Sequence, residues 1–86
     1  MTRRYGHPIQ VQADNGHPLS FIWRGTRYQV YAILDTWHLQ DRWWAGDGAS
    51  GSSDRTYYRL DCSRDVQCEI YFDAVTSIWI LDRVYD

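Results

Sequence analysis

The residues best suited to hold a partner gather around one central segment. Trp37, Trp43 and Trp44 stand beside Arg42, and Arg55, Tyr57 and Arg59 follow a Gly/Ser-rich stretch. Rings interleaved with guanidinium groups can stack single-stranded bases and hold phosphates. The same residue types dominate the hot spots of protein interfaces. A small domain also needs large rings for its core, and Trp37 and Trp79 are expected there. Trp43 and Trp44 are adjacent, so in a strand they point to opposite faces, and one of them lies off the core. The predicted binding set is therefore Arg42, Trp43, Trp44, Arg55, Tyr57 and Arg59.

Catalytic groups are scarce by comparison. Glu69 is the one glutamate, on the exposed phase of its segment, and the aspartates fall at turns and strand ends. Asp is an ordinary turn residue there. Gly46, Gly48 and Gly51 match the spacing of a dinucleotide fingerprint, but no strand–turn–helix unit surrounds them. His7, His17 and His38 have neither each other nor a cysteine at zinc-ligand spacing. No metal or other cofactor is implied, and an enzyme is not expected. Cys62 and Cys68 flank a hairpin loop of five residues, which would set them opposite each other. A cross-strand disulfide is conceivable, but the pair is expected to act as two small apolar residues under a sheet.

Composition narrows the partners. The chain has 86 residues and a net charge of −2, and its basic residues are all arginine. A sequence-independent grip on nucleic acid usually needs a basic domain. Arginine in place of lysine fits a GC-rich genome, and equally a set of planar cations for forked or stacked contacts. Met1-Thr2-Arg3-Arg4 leads into polar residues rather than an apolar leader. No apolar run approaches the length of a membrane span. A cytoplasmic domain with reduced thiols and no membrane contact is expected.

The elements that must carry these residues read as strands. Residues 5–13 alternate through Ile9, Val11 and Ala13, and Asp14-Asn15-Gly16 marks a turn. Leu19, Phe21 and Trp23 share a face in the next run, and Gly25 supplies the following turn. From Arg27 to Leu34, Tyr28, Val30 and Ala32 face one way, with a bulge expected at Ile33-Leu34. This strand should run on to Trp37, and residues 38–44 are read as strand too, since a helix there would be too short to be stable. Residues 45–54 are expected as a flexible loop, and residues 1–7 as a flexible end.

The last third alternates most clearly. Tyr58, Leu60 and Cys62 share one face, and Cys68, Ile70 and Phe72 another, with residues 63–67 as the hairpin loop. Residues 73–76 form a second turn. Ser77–Tyr85 closes the chain, with Trp79 and Leu81 on one face and Ile78, Ile80 and Val84 on the other. The prediction is one all-β domain over residues 1–86, a small antiparallel meander of about six strands curled into a barrel or half-barrel. Curling would remove sheet edges.

Several short motifs also carry a family resemblance. They are Phe21-Ile22-Trp23-Arg24-Gly25, Tyr28-Gln29-Val30, Trp37, Trp43-Trp44, Tyr57-Tyr58-Arg59-Leu60, Glu69-Ile70-Tyr71 and Trp79 to Asp86. The chain resembles a family of small Trp-rich bacterial domains of unknown function, over residues 18–86. Its Trp-Trp and terminal Tyr-Asp features are similar to the C-terminal tail of the inactive Y-family polymerase-like subunit of bacterial mutasomes. The resemblance implies a protein-interaction module beside translesion polymerases, in DNA repair. A module that binds single-stranded nucleic acid through the same rings is the alternative.

Overall fold

The computed structural model describes residues 2–44 and 50–85; for residues 42–44 and 50 it describes the backbone alone. The strands are β1 (Thr2–Asp14), β2 (His17–Trp23), β3 (Thr26–Trp44), β4 (Ser50–Cys62), β5 (Val66–Asp73) and β6 (Ile78–Tyr85). Each pairs antiparallel with the next, and β6 returns to β1, so the meander closes into a barrel. There is no helix among the described residues.

The turns explain how so short a chain makes so many reversals. Asn15-Gly16 and Arg24-Gly25 both take positive φ, and each leaves a two-residue loop between paired strands. Two successive left-handed residues are the requirement of a type I′ turn, whose twist matches that of the strands it joins. Arg64 and Asp65 repeat the pattern between β4 and β5, with φ of 63° and 56°. The loop is shorter than the five residues expected, because Cys62 already pairs with Val66.

Two strands are long enough to serve on both sides of the barrel. β1 pairs with β6 through Thr2–Ile9 and with β2 through Gln10–Asp14. β3 pairs with β2 through Thr26–Gln29 and with β4 from Val30 onwards. At that changeover the Ser63 N–H donates to the Gln29 carbonyl at 2.9 Å, and the Gln29 N–H donates to Ser63 Oγ at 3.0 Å. The segment expected as a flexible end is therefore paired from Thr2.

Phe21, Tyr58, Leu60, Cys62, Cys68, Ile70 and Leu81 form the buried core, with Trp79 and Val84 among the residues packed against it. Bulges set the phase of the rest. β3 slips at Tyr31 and again at Leu34, leaving both side chains exposed and bringing Ile33 to the core. The second slip was expected; the first turns Ala32 away from the face of Val30. In β6 a slip at Asp82 brings Val84 to the core side, against its expected place with Ile78 and Ile80.

Beyond the barrel, β3 and β4 continue as a two-stranded arm. Gln40–Trp44 pair with Asp54–Ser50, whereas β5 meets β4 only from Arg55. The molecule measures 48 × 31 × 24 Å. Residues 50–54, expected as part of a flexible loop, are thus strand; residues 45–49 lie outside the described residues.

Candidate functional site

The outer face of β3–β6 carries three cross-strand rows. Directly opposed residues in a sheet share a face, and their side chains touch. The first row is Trp37, Tyr57, Tyr71 and Ile80. Beside it run Leu39, Arg55, Asp73 and Ile78. On the other side run Asp35, Arg59, Glu69 and Arg83, whose charges alternate across four strands.

The aromatic row is a continuous stack. Trp37 lies parallel to Tyr57, with centroids 5.3 Å apart and an interplanar angle of 1°. Tyr57 meets Tyr71 at 4.9 Å with a tilt of 39°. The Arg55 guanidinium sits 4.8 Å from the Tyr71 ring centre, a cation–π contact. Its Nη1 donates to the Tyr57 hydroxyl at 3.5 Å, and its buried Nε has no hydrogen-bond partner. The bond to Tyr57 holds the Arg55 pKa above its ordinary value. Burial pushes the Tyr71 phenol up, and Arg55 partly offsets that.

The charged row is anchored on Glu69. This side chain takes the exposed phase, as expected, yet the residue is only 5% exposed. The Tyr85 hydroxyl donates to Glu69 Oε2 at 2.6 Å, and Arg83 Nε lies 3.6 Å from the same oxygen. These two β6 side chains fold across the carboxylate and cover it. Burial, then the bond to Glu69, raises the Tyr85 pKa.

Of the predicted binding set, Arg55, Tyr57 and Arg59 occupy adjacent places on this face. Arg42, Trp43 and Trp44 lie at the far end of β3, where their backbones pair with Ser52, Gly51 and Ser50. Their side chains lie outside the described residues. Trp37 corrects the core expectation, since it belongs to the outer stack while Trp79 packs against the core. Tyr71, Leu39, Ile78 and Ile80 were missed. The signal for Tyr71 was its alternation against Cys68, Ile70 and Phe72.

Elsewhere the described residues offer less. One shallow cavity of about 200 Å³ is lined by Gln10, Val11, Gln12, Ser20, Phe21, Ile22 and Arg27. Another of about 160 Å³ lies between Gly16, Thr56, Tyr58, Phe72 and Trp79. Neither brings two carboxylates together. No group of three or more His, Cys, Asp or Glu that could hold a metal ion occurs among the described residues. No helix among them is long and apolar enough to cross a membrane. Cys62 and Cys68 are free and buried, with sulfurs 3.9 Å apart. They stand diagonally rather than opposite, because Leu60 is the residue paired with Cys68.

Fold and surface together define a small closed β-barrel that displays a row of rings on one sheet face. The chain belongs to the family described as domain of unknown function DUF6504, whose model matches residues 1–86. That match takes in the first 17 residues, which the sequence resemblance had left outside. No curated protein and no solved structure matches the chain.

Proposed function

We propose that this domain is a non-enzymatic protein-interaction module, with the Trp37–Tyr57–Tyr71 row and Arg55 as its contact surface. The observation that carries this reading is the packing of the rings on one another. Tyr57 is flanked by Trp37 and Tyr71, and Tyr71 is also covered by Arg55. A base stacks on an open ring face. What this row offers is a half-buried apolar surface with a polar border, the make-up of a protein hot spot. The border is balanced: Arg55, Arg59 and Arg83 alternate with Asp35, Glu69 and Asp73.

The resemblance to the polymerase-like mutasome subunit makes a translesion-synthesis component of the bacterial cytoplasm the first partner to test. Purified components of that machinery would be passed over the immobilised domain. Tyr57→Ala and Tyr71→Ala should each lower recovery at least tenfold, about 1.4 kcal/mol. Equal recovery on the folded variants removes this site assignment. The alternative, a single-stranded nucleic-acid module, draws on the outer position of Trp37 beside Arg55 and Arg59. It requires salt-dependent quenching of tryptophan fluorescence by a short oligonucleotide.

A further inference from the structure

β3 leaves one of its edges unpaired. Its partner on one side is β4 as far as Trp44, but on the other side β2 stops at Gln29. No described strand pairs with that edge from Asp35 onwards. Along its outer run, between Asp35 and Trp44, the edge carries charged residues at Asp35, Asp41 and Arg42 but no register slip, proline or lysine. Such an edge is a template for a further strand.

The direction of the backbone is legible at one residue. The Thr36 N–H donates to the carboxylate of its own neighbour, Asp35 Oδ1, at 2.9 Å. That N–H points away from β4, with a side-chain oxygen placed where the carbonyl of an added strand would come. Backbone groups of every second residue in an antiparallel strand point the same way. His38 and Gln40 then present their N–H and C=O groups to the same open edge.

We propose that the Asp35–Gln40 edge of β3 takes an extended segment of a protein partner as an added antiparallel strand, of the pattern aliphatic-x-aromatic-x-basic. This deepens the protein-interaction reading above and rests on it. The pattern is the continuation of the rows across the sheet. The charged row runs minus, plus, minus, plus from Asp35 to Arg83, so the next strand should place a cation opposite Asp35. The ring row ends on Trp37, whose neighbour should be another ring. Leu39 is 52% exposed and would take an aliphatic side chain.

A second copy of this chain fits that edge poorly. Residues opposed in an antiparallel pair share a face, so the odd positions of one β3 would face the odd positions of the other. Those positions are Asp35, Trp37, Leu39, Asp41 and Trp43, none of them basic. The register that joins Trp37 to Leu39 of the second copy would set Asp35 against Asp41 of that copy, and the register that joins the two Trp37 rings would set Asp35 against Leu39, so neither supplies a cation. Like charges directly opposite are destabilising. A different chain, supplying the cation, is the occupant that the rows call for.

The test uses the whole domain and a fluorescent capped peptide, Thr-Leu-Thr-Phe-Thr-Arg-Thr, with anisotropy as readout. The peptide should bind, and a scrambled peptide of the same composition should bind at least tenfold more weakly. Asp35→Arg should weaken it about fivefold and tighten the Glu-for-Arg peptide by a similar factor, the upper end of one cross-strand charge pair. Gln40→Pro, with an unchanged far-ultraviolet spectrum, should abolish binding, because proline removes an edge N–H that β4 does not use. Binding that survives Gln40→Pro, or no binding at about 1 mM peptide, overturns strand addition. So does self-association that Gln40→Pro abolishes, since the edge would then belong to a second copy. None of these outcomes touches the contact-surface reading, which stands or falls on the Tyr57→Ala and Tyr71→Ala recoveries.

Discussion

Replacing Glu69 by glutamine should cost this domain a large part of its stability, although Glu69 faces outward. The change keeps the shape of the side chain and removes its charge. Glu69 is 5% exposed, and its carboxylate accepts the Tyr85 hydroxyl at 2.6 Å. A hydrogen bond to a charged group is worth roughly 1.5–3 kcal/mol, against about 1 kcal/mol for a neutral one. Losing the charge also removes one of the two acids at Arg83 Nε, which keeps Asp82 Oδ2 at 3.4 Å after Glu69 at 3.6 Å is gone, and breaks the opposition to Arg59 in the next strand. A cross-strand charge pair contributes up to about 1 kcal/mol. Together these give a loss of about 2 kcal/mol, or roughly 8–16 °C in Tm for a domain of this size. Urea unfolding followed by circular dichroism measures the loss, and a cycle with Tyr85→Phe isolates the hydrogen bond. The coupling should be about 1 kcal/mol, within the range for residues in one network. A Glu69→Gln loss below about 0.5 kcal/mol, the size of an ordinary surface change, with no coupling to Tyr85, refutes the account.

Two further outcomes follow from buried groups. Tyr58, Tyr71 and Tyr85 all have raised pKa values, in each case chiefly through burial. The stability they contribute is complete below the unfolded tyrosine value of about 10 and is lost as pH rises through their higher folded values. Urea midpoints should therefore fall above about pH 10, and less steeply in Tyr85→Phe; a flat profile there contradicts the burial. Cys62 and Cys68 are 1% and 0% exposed, and the bond to Cys62 together with burial pushes the Cys68 thiol up. A thiol reagent should label them only as fast as the domain opens, and rapid labelling of the native state is the contrary result.

Arg55 shows how the proposed contact surface differs from a simple list of polar groups. Its guanidinium stands on Tyr71 and bonds to Tyr57, so it braces the rings as well as edging them. Residues that a partner would touch are thereby held in place before it arrives, which lowers the entropy lost on binding.

Much of this arrangement was legible in local pattern. Alternation of apolar and polar residues placed Tyr58, Leu60, Cys62, Cys68 and Ile70 in the core, because a strand turns over every residue and water selects the polar side. Asn15-Gly16 and Gly25 marked tight reversals because positive φ is cheap there. From these the all-β meander followed, and with it the outward phase of Arg55, Tyr57 and Arg59. Ring size was a poorer guide. Trp37 invited a core assignment, and a single bulge at Leu34 would have turned it inward.

Only the closed barrel decided otherwise. Curvature around the ring places a second slip at Tyr31, and two slips restore the phase that one would reverse. Trp37 consequently lies outside, level with Tyr57 and Tyr71. The slip at Asp82 likewise brings Val84 to the core and sets Arg83 opposite Glu69. Alternation along one strand carries no information about register between strands, and register is what aligned the rings into one row and the charges into another.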